Sequence, residues 1–280
     1  MAEEMTHPAL DRYFARIGHA GPASPTLPTL RMLHRRHAEI IPFENLDVLL
    51  KHSVCLDAPA LEEKLLERGR GGYCFEQNAL FASVLRALGF RVTCLSARVR
   101  WMAPENAATP RTHMLLRVDL PEGPYIADVG FGGLTLTEPL ALVADAAQPT
   151  SHEAFRFKTV AGEFEMQARL GEEWKSLYRF SLDEQNAADY EVANWFISTH
   201  PNSIFTGNLM AARPREGRRY ALMNTDFTVR HLDGRIEQRR LETAAALAEV
   251  LSRDFLITLP EGAQEDLKPF VEVWNSAPRA

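Results

Sequence analysis

Apolar positions in the first 90 residues recur at helical spacing. Leu10, Tyr13, Phe14 and Ile17 fall at i, i+3, i+4 and i+7, one face of a helix, and Gly18 stops it. A second helix is predicted around residues 28–38, opening at Pro28 and carrying Leu30, Leu33 and His37. A third begins at Asp57, has Pro59 in its first turn, places Leu61, Leu65 and Leu66 on one side and ends at Gly69. A fourth opens near Cys74 and runs through Leu80, Phe81, Val84, Leu85 and Leu88 to Gly89. From residue 91 the period falls to 2. Segments 91–99, 113–119, 124–129, 155–160, 164–169 and 174–180 read as strands separated by Pro, Gly, Asn and Asp clusters, which suggests a sandwich or barrel. Residues 187–212 carry no clear period. Tyr220 to Gln238 read as a hairpin pair turning at Asp233-Gly234, residues 241–254 as an Ala/Leu-rich helix and 262–273 as a polar helix. The predicted class is α+β, with a helical first third, a central antiparallel β unit and a mixed last third.

Composition narrows the function classes. A chain of 280 residues, 46% apolar and 24% charged, has globular proportions and room for one large domain or two to three small ones. A formal charge of −6 argues against broad attraction to nucleic acid or membranes. The three cysteines, Cys55, Cys74 and Cys94, show no CxxC spacing, so neither a disulfide framework nor a metal site is expected, and a reducing cytoplasm fits. The first residues lack the basic and apolar regions of a secretory leader, and no apolar run approaches the roughly 20 residues of a membrane helix.

The candidate chemistry centres on RGRGGYCFEQN, residues 68–78, where three glycines precede a cysteine and an apolar helix follows. A thiol at a helix start faces unpaired N–H groups and the positive end of the helix dipole, both of which favour thiolate over thiol. The same N–H groups can hold an oxyanion during acyl transfer. Arg70 would add positive charge nearby, and the glycines would let the backbone turn tightly. The alternative for Cys74 is a buried structural thiol. Among the nine histidines, His113 opens the strand HMLLRVD after a polar loop, where it would sit at a sheet edge as a base or as a structural hydrogen-bonder. Asp128 lies among Ile126, Ala127 and Val129, where a carboxylate is costly unless compensated; a His Nδ1–H is a suitable partner, and a turn cap before Gly130 is the alternative. Asp119 reads as an ordinary turn entry. GFGG at 130–133 reads as a flexible loop that lets backbone approach a ligand, without a nucleotide-loop pattern. Phe43 is expected to pack in the core and Glu44 to meet solvent; Cys55 and Cys94 read as inert core thiols; Arg98, Arg100 and Arg111 as a solvated rim or phosphate contacts. His34 and His37, i,i+3 on a helix, lack the carboxylate that would complete a metal set.

The segments HAEIIPFENLDVLL (37–50), RGGYCFEQN (70–78), ARVRW (97–101), THMLLRV (112–118), DVGFGG (128–133) and NWFISTHPNSIF (194–205) together resemble the arylamine N-acetyltransferase family, in its shorter bacterial form. The resemblance implies a helical bundle (1–90) carrying the nucleophile, a β-barrel (91–190) carrying His and Asp, and an α/β lid (191–280). It implies a papain-like triad with Cys74 as acetyl carrier, His113 as base and Asp128 as its orienter. Acetyl-coenzyme A would acetylate the cysteine, and an arylamine, arylhydrazine or N-hydroxyarylamine would then take the acetyl group in a ping-pong cycle. By the same resemblance Phe43, Phe131 and Phe205 line the acceptor pocket, and Trp101, Thr112, Phe131 and Gly132 neighbour the coenzyme. The runner-up reading is a cysteine hydrolase using the same three roles on water. A non-enzymatic module binding aromatic compounds is a third, and it alone predicts that Cys74→Ala leaves function intact.

Overall fold

The structure is a computed structural model and describes residues 7–104 and 107–276. The segment on which the leader expectation rests lies largely outside these residues. The helical third comprises α1 (His7–Ile17), α2 (Leu27–Ile40), the short α3 (Leu46–Leu49), α4 (Ala58–Glu62), which continues into a π-helical turn at Glu63–Glu67, and α5 (Cys74–Ala87). Thr26 and Asp57 cap α2 and α4 with their side-chain oxygens, and Pro occupies the first turn of each, as the sequence pattern predicts. Helix α5 is buried nearly all round, which is why its hydrophobic pattern is broad rather than one-sided. It ends at Gly89, whose φ of +85° is open to glycine at little cost.

Two elements in this third escaped the periodicity, the four-residue α3 and a two-residue strand. Phe43–Glu44 forms β1, too short for a period-2 signal, and pairs with a strand some 170 residues later.

The central sheet contains β2 (Arg91–Val99), β3 (Arg111–Leu120), β4 (Gly123–Ala127), β5 (Leu140–Ala141), β6 (Gln148–Pro149), β7 (Ala154–Val160), β8 (Glu163–Leu170) and β9 (Glu173–Phe180). Its order is β5-β4-β3-β2-β9-β8-β7-β6, all antiparallel, curling into a nearly closed barrel. β2 pairs with β3 on one edge and β9 on the other, and its register with β3 shifts between Ala97 and Arg98. At the seam the Gln148 amide accepts from the Ala141 N–H and donates to the Ala141 carbonyl, each at 2.8 Å, doing for β5 and β6 what a strand backbone would do. Leu95, Leu115, Phe155, Phe157, Met166 and Phe180 fill the interior.

The unassigned stretch 187–212 resolves into α6 (Ala187–Thr199), a 3₁₀ turn at Ile204–Thr206 and the start of β10 (Met210–Arg215). The expected hairpin pair over 220–238 is three strands, β11 (Arg218–Met223), β12 (Asp226–His231) and β13 (Ile236–Arg240). The second turn falls at Asp233-Gly234 as expected; the first, at Asn224 with φ +57°, lacked the Gly that usually announces it. Together with β1 these strands form a five-stranded sheet, β1-β10-β11-β12-β13, backed by α7 (Ala244–Arg253) and α8 (Ala263–Ser276). Because β1 belongs to this sheet and also bridges Gly72, it ties the last third of the chain to the loop before Cys74.

Candidate active site

Cys74 is the first residue of α5 and is 6% exposed. The Glu76 carboxylate reaches back to accept from the Tyr73 N–H at 3.0 Å, which fixes the backbone at the entry to the helix. Lys64 holds that carboxylate at 2.5 Å and Asp47 at 2.6 Å. Arg70, expected as positive charge near the thiol, is instead directed onto Glu44 (2.8 Å) and Asp47 (3.2 Å), so its charge is neutralised in a buried network. Glu44, expected in solvent, is fully buried there: it accepts from the Leu46 N–H at 2.7 Å and from Gly71 N–H at 3.3 Å. The correction has a plain cause. The tight passage of Gly71 leaves no room for a side chain between it and Pro42, so the Glu44 carboxylate is enclosed and must be paired.

His113, on β3, is 2% exposed and faces this helix start. Its Nε2–H donates to Asp128 Oδ2 at 2.7 Å. The ring is therefore turned the other way round from the expected Nδ1 contact, which leaves Nδ1 free of Asp128, and the Cys74 thiol lies near enough to the imidazole to raise its pKa. The thiol also lies 3.6 Å from the Thr112 carbonyl. Burial would lower the His113 pKa, but the Asp128 charge and hydrogen bond, with the sulfur on the other side, raise it to about 10. Burial alone would raise the Asp128 pKa; the imidazolium and two further donors hold it below the usual carboxylate range. Those donors are Asn78 Nδ2 and the Gly130 N–H, each 3.0 Å from Oδ1.

Three contributors to this arrangement were missed in the sequence. Asn78 lies one turn after Cys74 on the same helix face; besides Asp128 it holds the Met114 carbonyl at 2.8 Å and the Val129 N–H at 3.1 Å. The i,i+4 spacing from Cys74 was the available signal. His34 accepts the Asp128 N–H at 3.1 Å, and burial first of all lowers its pKa to about 3, so it is a neutral acceptor. Tyr178, on β9, packs its ring 4.8 Å from that of His113, and burial and then the Asp128 charge push its phenol up. His37 is likewise structural, bonded to Tyr13 at 3.0 Å and Gln77 at 2.7 Å, and no group able to hold a metal ion exists among the described residues.

The first glycine of the GFGG segment has a packing part as well. A Cβ on Gly130 would come within 2.7 Å of the Cys74 Cα and 2.9 Å of Asn78 Nδ2, so this glycine lets the segment after β4 lie directly on the start of α5. Gly130→Ala is expected to lower thermal stability by about 1–3 kcal/mol, as overpacking does. The same change should cut turnover more than tenfold by spreading Cys74 from His113, roughly as such misplacements do. A melting curve and steady-state rates of the purified variant check this; unchanged rates would refute the close approach as functional.

The remaining expected neighbours fall as follows. Phe43 and Phe205 face each other at 6.1 Å, Tyr73 joins Phe205 at 5.9 Å, and Gly132 abuts the Phe43 ring. The Phe131 ring stands edge-on to His113 at 5.2 Å. Trp101 sits apart in an exposed turn after β2, its N–H bonded to the Leu177 carbonyl. Asp119 pairs with Arg117 at 2.8 Å, as befits a turn entry. Arg98 and Arg100 hold the carbonyls of Thr109, Ala107 and Pro104, and Arg111 approaches Glu163 at 3.8 Å. Cys94 is buried against Arg86, but Cys55 is exposed and donates to Asp57 at 2.6 Å, a correction to its expected core place: the residues around it are loop, where apolar neighbours need not be covered.

A thiol at a helix start, an imidazole and a carboxylate brought together here are the three groups that thiol-dependent acyl transfer can use. Residues 26–264 match a family described as N-acetyltransferase. The chain is 45% identical over 249 residues to the arylamine N-acetyltransferase of Escherichia coli K12, covering 89% of this chain and 88% of that protein. It is 43% identical over 248 residues to the arylamine N-acetyltransferase / N-hydroxyarylamine O-acetyltransferase of Salmonella typhimurium, covering 88% of each. The solved Mycobacterium marinum arylamine N-acetyltransferase in complex with CoA superposes with a TM-score of 0.90 at 40% identity, covering 94% of this chain and 98% of that one. The chain belongs to the arylamine N-acetyltransferase family.

Proposed function

We infer that this enzyme transfers the acetyl group of acetyl-coenzyme A to the nitrogen of arylamines and arylhydrazines, and to the oxygen of N-hydroxyarylamines, through an acetyl-cysteine at Cys74. The observation that carries this reading is the 2.7 Å hydrogen bond from His113 to Asp128, with the Cys74 thiol at the helix start near enough to the imidazole to raise its pKa, in a chain whose relatives bear that activity in their names.

Mechanistically, the sulfur attacks the thioester carbonyl with the imidazolium of His113 beside it as counter-charge. The N–H groups of the first turn of α5 have no partner within the helix and offer donors to the oxyanion. The C–S bond to coenzyme A breaks, and His113 gives its proton to the departing thiolate. The amine then attacks the acetyl-cysteine, His113 takes its proton, the acyl C–S bond to Cys74 breaks, and the sulfur returns as thiolate beside the imidazolium with release of the N-acetyl product. Phe43, Phe131 and Phe205 line the acceptor side and exclude water, which favours transfer over hydrolysis. Thr112, Phe131 and Gly132, with Trp101 at the outer turn, neighbour the coenzyme. In this reading 1–90 carries the nucleophile, 91–190 its base and orienter, and 191–280 the lid. No helix among the described residues is long and apolar enough to cross a membrane, and three unpaired cysteines suit a reducing cytoplasm, where the enzyme would act on foreign aromatic amines.

Incubation with acetyl-coenzyme A alone is expected to add about 42 Da to the peptide bearing Cys74 in mass spectra, the covalent intermediate of a two-step transfer. Adding an arylamine should discharge it as N-acetyl amine. Release of acetate with no acylated amine would establish a hydrolase instead, and an unmodified Cys74 with several thioester donors would refute the nucleophile.

A further inference from the structure

We propose that Arg219 is a positioning residue for substrate binding: from the second sheet, and through Thr135, it fixes the turn that carries Phe131 and Gly132. The inference rests on the functional reading above for what that turn touches, and on hydrogen-bond geometry for the link itself.

Arg219 lies on β11, in the sheet that holds neither the nucleophile nor its base. Its side chain is only 3% exposed, yet it crosses to the barrel. Nε donates to both Glu153 oxygens at 2.9 and 3.0 Å, and Nη2 donates to Oε2 at 2.6 Å. Nη1 turns away from the carboxylate and donates to the buried Thr135 carbonyl at 3.0 Å. A buried ion pair is costly unless its remaining donors and acceptors are satisfied, and here the guanidinium fork meets that condition by gripping a backbone carbonyl. The neighbouring His152 reinforces the same join, with Nε2 on the Arg215 and Arg218 carbonyls at 3.0 and 3.2 Å.

Thr135 passes the constraint on. Its hydroxyl accepts from the Phe131 N–H at 3.0 Å and donates to the Asp128 carbonyl at 3.4 Å, while its own N–H closes the turn on the Gly132 carbonyl at 3.0 Å. Phe131 stands against His113 and Gly132 against Phe43, so a displaced turn moves both walls of the pocket while leaving the Cys74–His113 contact in place. A surface ion pair would serve if the only need were to dock sheet to barrel. Burying the arginine on a carbonyl of this turn makes the pocket shape depend on the second sheet.

The test compares wild type with Arg219→Gln, Glu153→Gln, Thr135→Val and Thr135→Ser, each first checked for a cooperative melt. Arg219→Gln should speed hydrogen exchange in the peptide spanning residues 128–136 about tenfold or more, the mark of a locally released turn. Glu153→Gln, which keeps the side chain's shape, serves if Arg219→Gln does not fold. Thr135→Val should raise KM for acetyl-coenzyme A and the arylamine about tenfold with kcat within about threefold, the pattern of lost uniform binding. Thr135→Ser, which keeps the hydroxyl, should behave as wild type. Alkylation of Cys74 by iodoacetamide should be unchanged throughout. Unaltered exchange in the variants overturns the proposal, as does a fall in kcat and alkylation with KM unmoved, which would place the effect on the triad. If wild type itself transfers no acetyl group, the functional reading fails, while the exchange result still decides the clamp.

Discussion

Cys74→Ala is expected to abolish acetyl transfer, with turnover falling by about four orders of magnitude or more, as when the nucleophile of other acyl-transfer enzymes is removed. The physical ground is that no other described side chain can replace it. Cys94 is buried against Arg86, Cys55 is exposed and bonded to Asp57, and neither meets His113. The fold should survive. Cys74 touches the core through a small thiol, and the glycine contacts that seat α5 are made by its backbone. Coenzyme A release from the purified variant, beside a melting curve, checks both parts; residual turnover above about one hundredth of wild type would mean the sulfur is not the acyl carrier.

Asp128→Asn is expected to cost about three to four orders of magnitude in kcat/KM, through the tautomer and charge of His113 rather than through shape. The carboxylate accepts from three donors, His113 Nε2–H, Asn78 Nδ2 and the Gly130 N–H. An amide must turn its NH₂ toward one of them. If it faces the ring, Nε2 has to become the acceptor, the proton moves to Nδ1, and the nitrogen beside Cys74 can no longer take a proton. The sign of the pH effect follows. Burial lowers the His113 pKa, and the carboxylate, with the sulfur, is what raises it to about 10. In wild type the imidazolium, and with it the ability to protonate departing coenzyme A, is present below that value and lost as pH rises through it. Without the carboxylate the alkaline limb should move to lower pH, because burial then dominates. A pH profile of single-turnover acetylation reads the shift; an unmoved limb with less than tenfold loss would show that Asp128 merely fills space.

Much of the secondary structure was legible because its causes are local. Pro and Asp at helix starts, Gly at helix ends and period-2 runs around residues 91–180 depend on neighbours within a few positions. The failures had local causes too. Two residues of β1 are too few for a period, and Asn224 turns the chain without a glycine. At the site, Cys74 was legible from the glycines before a helix, and Asp128 from its place among apolar residues. Glu44 carries the same signal, a carboxylate near Ile41, Phe43 and Leu46, but sits in a loop-like stretch, a setting that points to solvent.

By itself, then, the sequence determined the helices and most of the strands, the three residues able to form a triad, and a family resemblance. Tertiary structure decided how they meet. His113 presents Nε2 to Asp128 because β3 and β4 bring the carboxylate in on that side, and Asn78 and His34 steady it from helices 50 and 94 positions away. Gly130 had to be glycine because two backbones cross there, and Arg219 of the second sheet meets the Thr135 carbonyl of a segment 84 positions away. Such contacts are set by long-range pairing and close packing, and a residue's sequence neighbours carry no record of which distant surface it will press against.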